Sequence, residues 1–370
     1  MRVFPRLARV LLARALLARV LLVCLGLAWF GACSPGPDSS GKGGATDGEV
    51  TVYSTTDSAI FAPVIEDFTK LHPEIRLRYV ELDAKPLFDR FVAESLSNQH
   101  RADILLSSAM DLQVKLVNDG FAQVHQSANA DKLPSWARWR NEIFGLTFEP
   151  VVMVSNPDLF ATRHIPQSRS ELVQAMRSDP QFWKARIGTY DIRTSSVGYL
   201  LASQDARLSS EYGTLIEAMG VADARTYQNI SVLLDDIEAG KVALGYNVLG
   251  SYAKRRVDGG ARLRVTFPED YTLAVVRAAF IAKDAPNPDG AHVFLEYLMS
   301  LRGQRILATE SDLSAAREEI GGSFGRLGIA GSAVGPLRPI AIGPGLLTYL
   351  DQQKRERFLA TWQAAVNRRN

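Results

Sequence analysis

The chain has 370 residues, 46% of them hydrophobic and 22% charged, the proportions of a soluble globular protein long enough to bury a core in two lobes. Its formal charge of +2 is unevenly spread: Arg2, Arg6, Arg9, Arg14 and Arg19 fall in the first 33 residues with no acid, and setting these five aside leaves 37 basic against 40 acidic side chains. That balance excludes a general nucleic-acid binder, which shows a basic excess.

Residues 1–33 read as an address. Arginine-rich sequence runs to Arg19, and an apolar run of 13 residues follows from Val20 to Ala32. That length fits the apolar core of a signal peptide and falls short of the roughly 20 residues that span a bilayer. The run ends in Phe30-Gly31-Ala32-Cys33, which resembles a bacterial lipoprotein box and implies lipidation at Cys33. The only other cysteine, Cys24, lies in the same segment, so the mature domain has no disulfide, zinc-thiolate site or thiol nucleophile. Residues 34–48, rich in Pro, Gly and Ser, read as a flexible tether.

Beyond the tether, short apolar runs alternate with helical patterns, the signature of an α/β fold. Strands are predicted in EVTVYS, IRLRYVEL, ADILLS, PVVMVSN, RIGTYD, ARTYQN, VALGYN, RLRVTF and YTLAVVRAAFIAK. Ile60, Phe61, Val64, Ile65, Phe68 and Leu71 keep a 3.6-residue period. Pro63 is tolerated only near a helix start, so that helix begins close to Ser58. A second helix carries Pro86 in its first turn. Ser168 to Glu171 has capping-box spacing, and Gly120, Gly220 and Gly240 read as C-terminal caps. The long extended stretches FGLTFEPVVMVSN and FPEDYTLAVVRAAFIAK are expected to cross between lobes.

Four segments share one grammar, in which a strand ends, small polar residues follow and a helix starts. They hold Ser54, Thr55, Thr56 and Asp57; Ser107 and Ser108; Arg193, Thr194, Ser195 and Ser196; and Tyr246 and Asn247. One hydroxyl is enough to cap a helix, and one of the five polar residues at 54–58 is expected to cap the helix that follows them. Helix starts also present unpaired N–H groups and partial positive charge, so several aimed at one cleft would bind an anion. Glu149, beside Pro150, is a further candidate site carboxylate.

Catalytic patterns are missing. His72, His100, His125, His164 and His292 are too far apart for local metal-ligand spacings, and no nucleophile elbow, Walker loop or dinucleotide fingerprint follows a strand. The glycine-rich run at 321–335 lacks the lysine of a phosphate loop and reads as a surface loop. No enzyme activity, cofactor or resident metal is expected.

The order VTVYSTTDSAIFAPVIEDFTKLHPEI, RADILLSSAMDLQVKLVNDG, GLTFEPVVMVSN, IGTYDIRTSSVGYLLASQD, GYNVLGSYA and PEDYTLAVVRAAFIAKDAPNPDGAHVFLEYLMSLRGQRIL resembles the extracellular solute-binding proteins of bacterial ABC importers. It is similar to the branch labelled ferric-iron binding, which also holds binders of phosphorylated sugars, phosphoglycerate and phosphonates. The resemblance implies a two-lobed, type II periplasmic-binding-protein-like α/β fold with two crossing hinge strands. One lobe would take 49–148 and 271–310, the other 149–270 and 311–370. It implies a monomer, anchored outside the cytoplasm through lipid alone, that delivers a small anionic solute to a permease and its ATPase. A role in handing the solute to a sensor kinase stays open.

Ferric-binding members place two neighbouring tyrosines on iron, helped by a histidine and a carboxylate. This chain has Tyr246 followed by Asn247, and Ser54 to Asp57 stand where the histidine would. An amide is a poor ligand for Fe(III), which favours an organic anion. The ferric alternative would use Tyr246, Tyr252 and Glu149.

Overall fold

The protein is described by a computed structural model over residues 48–320 and 335–367. The expected signal segment with Cys33, the expected tether up to residue 47 and residues 321–334 of the glycine-rich run lie outside the described residues. In chain order the strands are β1 (Gly48–Ser54), β2 (Ile75–Glu81), β3 (Ile104–Ser107), β4 (Arg138–Trp139), β5 (Ile143–Gly145), β6 (Glu149–Ser155), β7 (Ile187–Tyr190), β8 (Arg225–Tyr227), β9 (Leu244–Leu249), β10 (Arg264–Thr266), β11 (Thr272–Val275), β12 (Ala278–Ile281) and β13 (Leu337–Pro339). The helices are α1 (Ser58–Leu71), α2 (Ala84–Leu96), α3 (Met110–Asn118), α4 (Arg169–Ser178), α5 (Pro180–Trp183), α6 (Ser196–Leu208), α7 (Tyr212–Val221), α8 (Ile230–Glu238), α9 (Gly250–Asp258), α10 (Pro288–Met299), α11 (Leu301–Thr309) and α12 (Gln352–Val366).

Two mixed sheets result, as expected for a two-lobed α/β protein. The first has the order β2-β1-β3-β12-β5-β4, and the second β13-β11-β6-β9-β7-β8 with β10 on β6. β1 runs parallel to β2 and β3, and β7 runs parallel to β8 and β9. Every position of β6 is buried, as a strand covered on both faces requires. Val50, Val52, Phe61, Val64 and Phe68 pack into the core beneath the first sheet. No helix among the described residues is long and apolar enough to cross a membrane.

The chain passes between the sheets at 146–148, from β5 to β6, and again at Val276–Arg277, from β11 to β12. The long stretch 271–283 is therefore two strands. β11, grouped with 271–310 in the sequence reading, hydrogen-bonds to β6 and β13 in the second sheet. The two passages are tied together: the Leu146 amide donates to the Arg277 carbonyl (2.9 Å), and the Arg277 amide donates to Thr147 Oγ1 (2.8 Å).

Local signals mostly hold. α1 starts at Ser58, Ser168 Oγ accepts from the Glu171 amide (3.2 Å), and Gly120 and Gly240 take positive φ just past α3 and α8. Gly220 differs: it lies inside α7, where an added Cβ would fall 1.9 Å from the Ala365 carbonyl oxygen of α12. Its lack of a side chain serves a helix crossing instead of a cap.

Asp111 is buried on α3, a helix that packs against α6 and the turn at 344–349, and its Oδ1 is unpartnered. Burial pushes its carboxyl up to about 7, against the opposing pull of the Leu112 and Asp111 amides and the Arg355 charge. A carboxyl raised in the folded state binds more protons there than in the unfolded chain, so its contribution falls as pH rises through that value. The protein is expected to be about 1.4 kcal/mol less stable at pH 8 than at pH 6 on this account. Guanidinium unfolding at the two pH values should show this loss, and Asp111→Asn should remove it.

Candidate functional site: the cleft between the sheets

Six strand ends point at one gap. β1, β2 and β3 in the first sheet lead directly into α1, α2 and α3; β7, β8 and β9 in the second lead into α6, α8 and α9. Residues from all six junctions line a single cavity of about 350 Å³. Ligands in open α/β sheets sit in this place, outside the carboxyl ends of the strands.

The first wall brings Thr55, Asp57 and Ser108, which the sequence singled out, and adds Glu81, Asp83 and Lys85 from the β2–α2 turn. The second brings the expected Thr194, Ser195 and Ser196, together with Tyr252, and adds Tyr190, Gln228, Asn229 and Ser231. The β2–α2 and β8–α8 turns obey the same strand–polar–helix grammar. A search built on hydroxyl clusters passes over them because their helix-start residues are Asp83 and Asn229.

The local geometry sets which groups are available. None of the five polar residues at 54–58 caps α1 with its side chain; Glu81 Oε2 accepts from the Ser58 amide instead (2.7 Å). This corrects the expectation that one of the five would do so. Ser54 Oγ accepts from the Thr56 amide, and Thr55 Oγ1 bridges to Ser107 Oγ and to the Ser108 amide. These bonds clamp the β1–α1 and β3–α3 turns together. In the second wall Ser195 is a true cap, accepting from the Gly198 amide (3.1 Å). Ser108 and Tyr190 are only 4% and 5% exposed, line the cavity, and have no hydrogen-bond partner for their hydroxyls among the described residues. The Asp83 carboxylate is likewise without a side-chain partner there, whereas Lys85 pairs with Asp89 (2.5 Å).

The structure does not bring the other sequence candidates to the cavity. Ser54, Thr56 and Ser107 are buried behind the turn they stabilise. Arg193 folds back on Asp191, with Nη2–Oδ2 at 2.6 Å. Glu149 is fully buried: it accepts from Thr147 Oγ1 (2.9 Å) and Ser251 Oγ (2.5 Å) and pairs with Arg277. Tyr246 and Asn247 face into the second lobe. There both donate to Asp205 Oδ2, at 2.7 and 2.8 Å, while Tyr271 and Arg169 hold Oδ1. Arg169 Nε also donates to the Tyr246 hydroxyl (2.7 Å).

The three residues of the ferric alternative are thus separated by their partners. Tyr246 is held by Asp205 and Arg169, Glu149 by Arg277, and Tyr252 donates to Asp57 Oδ2 across the cleft (2.8 Å). Burial pushes the Tyr252 phenol up to about 12 and that of Tyr246 well above its ordinary value, the opposite of what a tyrosinate ligand needs. No group of three or more His, Cys, Asp or Glu among the described residues is placed to hold a metal ion.

Residues 50–310 match the family described as bacterial extracellular solute-binding protein. The chain belongs to that family. It is a solute-binding protein, of a family that captures solutes outside the cytoplasm and does not transform them. The substrate-binding protein of an ABC transporter from Agrobacterium tumefaciens is 37% identical, with a TM-score of 0.82 over 88% of this chain and 96% of that one. AfuA from Actinobacillus pleuropneumoniae, solved with exogenous fructose-6-phosphate, shares the fold at 15% identity (TM-score 0.71; 87% of this chain, 99% of that one). Iron-bound HitA from Pseudomonas aeruginosa shares it at 17% (TM-score 0.68; 86% and 99%). No curated protein matches.

The Asp205 cluster in this solute-binding protein is structural. Removing one partner of a buried ion pair strands the other charge, at a cost of about 3–5 kcal/mol. Asp205→Ala is therefore expected to lower unfolding stability by about that amount, and Tyr246→Phe by about 1 kcal/mol. Denaturant unfolding of the two variants measures both.

Proposed function

We propose that this protein is the lipid-anchored solute receptor of an ABC importer, and that it encloses a small solute bearing a phosphate or carboxylate by closure of two lobes. The lobes are taken as 49–148 with 271–310 and 149–270 with 311–370, apart from β11, which pairs into the second sheet, and 311–317, which packs into the core of the first. The observation that carries the reading is the single cavity to which six strand–helix junctions, three from each sheet, contribute.

The two walls differ in charge, and the difference supports the class of solute. The second wall offers Thr194, Ser195, Ser196, Asn229 and Ser231 at the starts of α6 and α8 and has no acid in its lining. Hydroxyls, amide donors and two helix starts suit an anionic group. The first wall offers Asp57, Glu81 and Asp83, which accept from solute hydroxyls or an amine. Ser108 and Tyr190 supply further hydroxyls, and Thr55 holds the turn that presents Ser108. A solute touching both walls stabilises the closed arrangement in proportion to its differential affinity for it. Cys33 would hold the receptor at the membrane, where it meets the permease and its ATPase.

Isothermal titration against sugar phosphates, phosphoglycerate, phosphonates and the matching uncharged sugars is expected to give micromolar or tighter binding only among the anions. Ser196→Ala with Ser231→Ala should weaken that binding at least about tenfold, a loss of about 1.4 kcal/mol; Tyr246→Phe should leave it within about twofold, the scatter of a neutral change. Binding of ferric citrate alone would overturn the reading. In cell fractionation, Cys33→Ser should move the protein from the membrane to the soluble fraction.

A further inference from the structure

We infer that Arg277 is a positioning residue that locks the two walls of the cleft into one unit through a closed ring of polar contacts. The inference rests on reading this cavity as the solute site, but neither the ring nor its test depends on which solute fills it.

The ring can be followed atom by atom. Arg277 leaves the chain where it passes from β11 to β12, and its side chain is 1% exposed. Nη1 donates to Thr56 Oγ1 (2.7 Å), in the β1–α1 turn of the first wall. Nη2 donates to Glu149 Oε2 (3.2 Å), at the end of the other passage between the sheets. Nε lies 2.9 Å from Glu149 Oε1, charge against charge but misaligned for a hydrogen bond. Ser251 Oγ donates to Glu149 Oε2 (2.5 Å). Ser251 is bonded to Tyr252, whose hydroxyl donates to Asp57 Oδ2 (2.8 Å), and Asp57 is bonded to Thr56. The Arg277 guanidinium also lies 6.0 Å from the centre of the Tyr252 ring.

The links are unequal. Those made by Arg277 and Glu149 are sealed from water, and breaking them would strand a buried charge. The Tyr252–Asp57 link joins two partly exposed side chains that both line the cavity. It is the one contact that can open while the others hold. When it opens, Asp57 is released to a solute donor; when it closes, Arg277 has already set the height of the Thr56–Asp57 turn that receives it. A carboxylate accepts several donors, so Asp57 can hold Tyr252 and a solute hydroxyl together.

Hydrogen–deuterium exchange of the purified exported protein tests this without solute. Tyr252→Phe and Arg277→Lys are each expected to speed amide exchange about tenfold in both walls, at 54–60 and 249–253. Exchange in the buried α8 segment Leu233–Ile237 should not change. Because one ring is being opened, the combined variant should exchange no faster than the faster single variant. Tyr297→Phe, which removes a bond to Asp67 away from the cleft, should leave both walls unchanged. Acceleration confined to 276–281 in Arg277→Lys, or single effects that multiply in the combined variant, would overturn the inference. If exchange in α8 rises as well, Thr56→Val cuts the same link from its other end and is read by the same criteria.

Discussion

A guanidinium and a carboxylate, both withdrawn from water, face each other where the chain passes between its two sheets. Arg277 comes from one passage and Glu149 from the other. Such a pair is a poor source of net stability, because desolvating two charges costs about as much as their attraction returns. Its consequence is geometric. A buried charge must keep its partner, so the two passages cannot separate or slide without exposing one. The amide of Arg277 on Thr147 and that of Leu146 on Arg277 reinforce the crossing with backbone bonds. Any relative motion of the sheets has to pivot at this point.

The cavity follows from topology. Two sets of parallel strands, β1 with β2 and β3 and β7 with β8 and β9, each end in helix starts. Joining the sets through the crossing at Arg277 and Glu149 turns those ends toward one gap. The walls then acquire different chemistry from residue choice alone. In the first, the carboxylates Asp57, Glu81 and Asp83 sit beside helix starts and offset their positive ends; in the second, hydroxyls and amides leave those ends uncompensated. A solute with acceptors at one end and donors at the other fits that gradient.

Tyr246, Asn247 and Glu149 are polar residues at strand ends or beside a helix start, as Thr55, Asp57 and Ser195 are. What separates the two groups is where they face: Thr55, Asp57 and Ser195 line the cavity although each has a partner of its own, and the other three do not reach it. Asp205 lies on α6, 41 residues before Tyr246, and accepts from Tyr246, Asn247, Tyr271 and Arg169. Arg277 lies 128 residues beyond Glu149 and donates to it where both side chains are buried. A polar side chain whose partners enclose it away from the cavity belongs to the frame. One left facing the gap, as Ser108 and Tyr190 are, belongs to the candidate site.

Sequence by itself determined the strands from β1 to β3 and from β6 to β9, the start of α1 at Ser58, the caps at Ser168 and beyond α3 and α8, and four of the six junctions. These are set by short-range physics: hydrophobic period, proline and glycine geometry, and side chains that reach only a few residues. It did not reveal that Gly220 sits at a helix crossing, that Glu81 caps α1 from another strand, that 271–283 breaks at Arg277, or that the β2–α2 and β8–α8 turns join the cleft. Each of these depends on a residue distant in the chain, and so on where the tertiary fold carries it. For the same reason, only the tertiary structure decided which polar residues at the junctions are enclosed by partners and which face the gap.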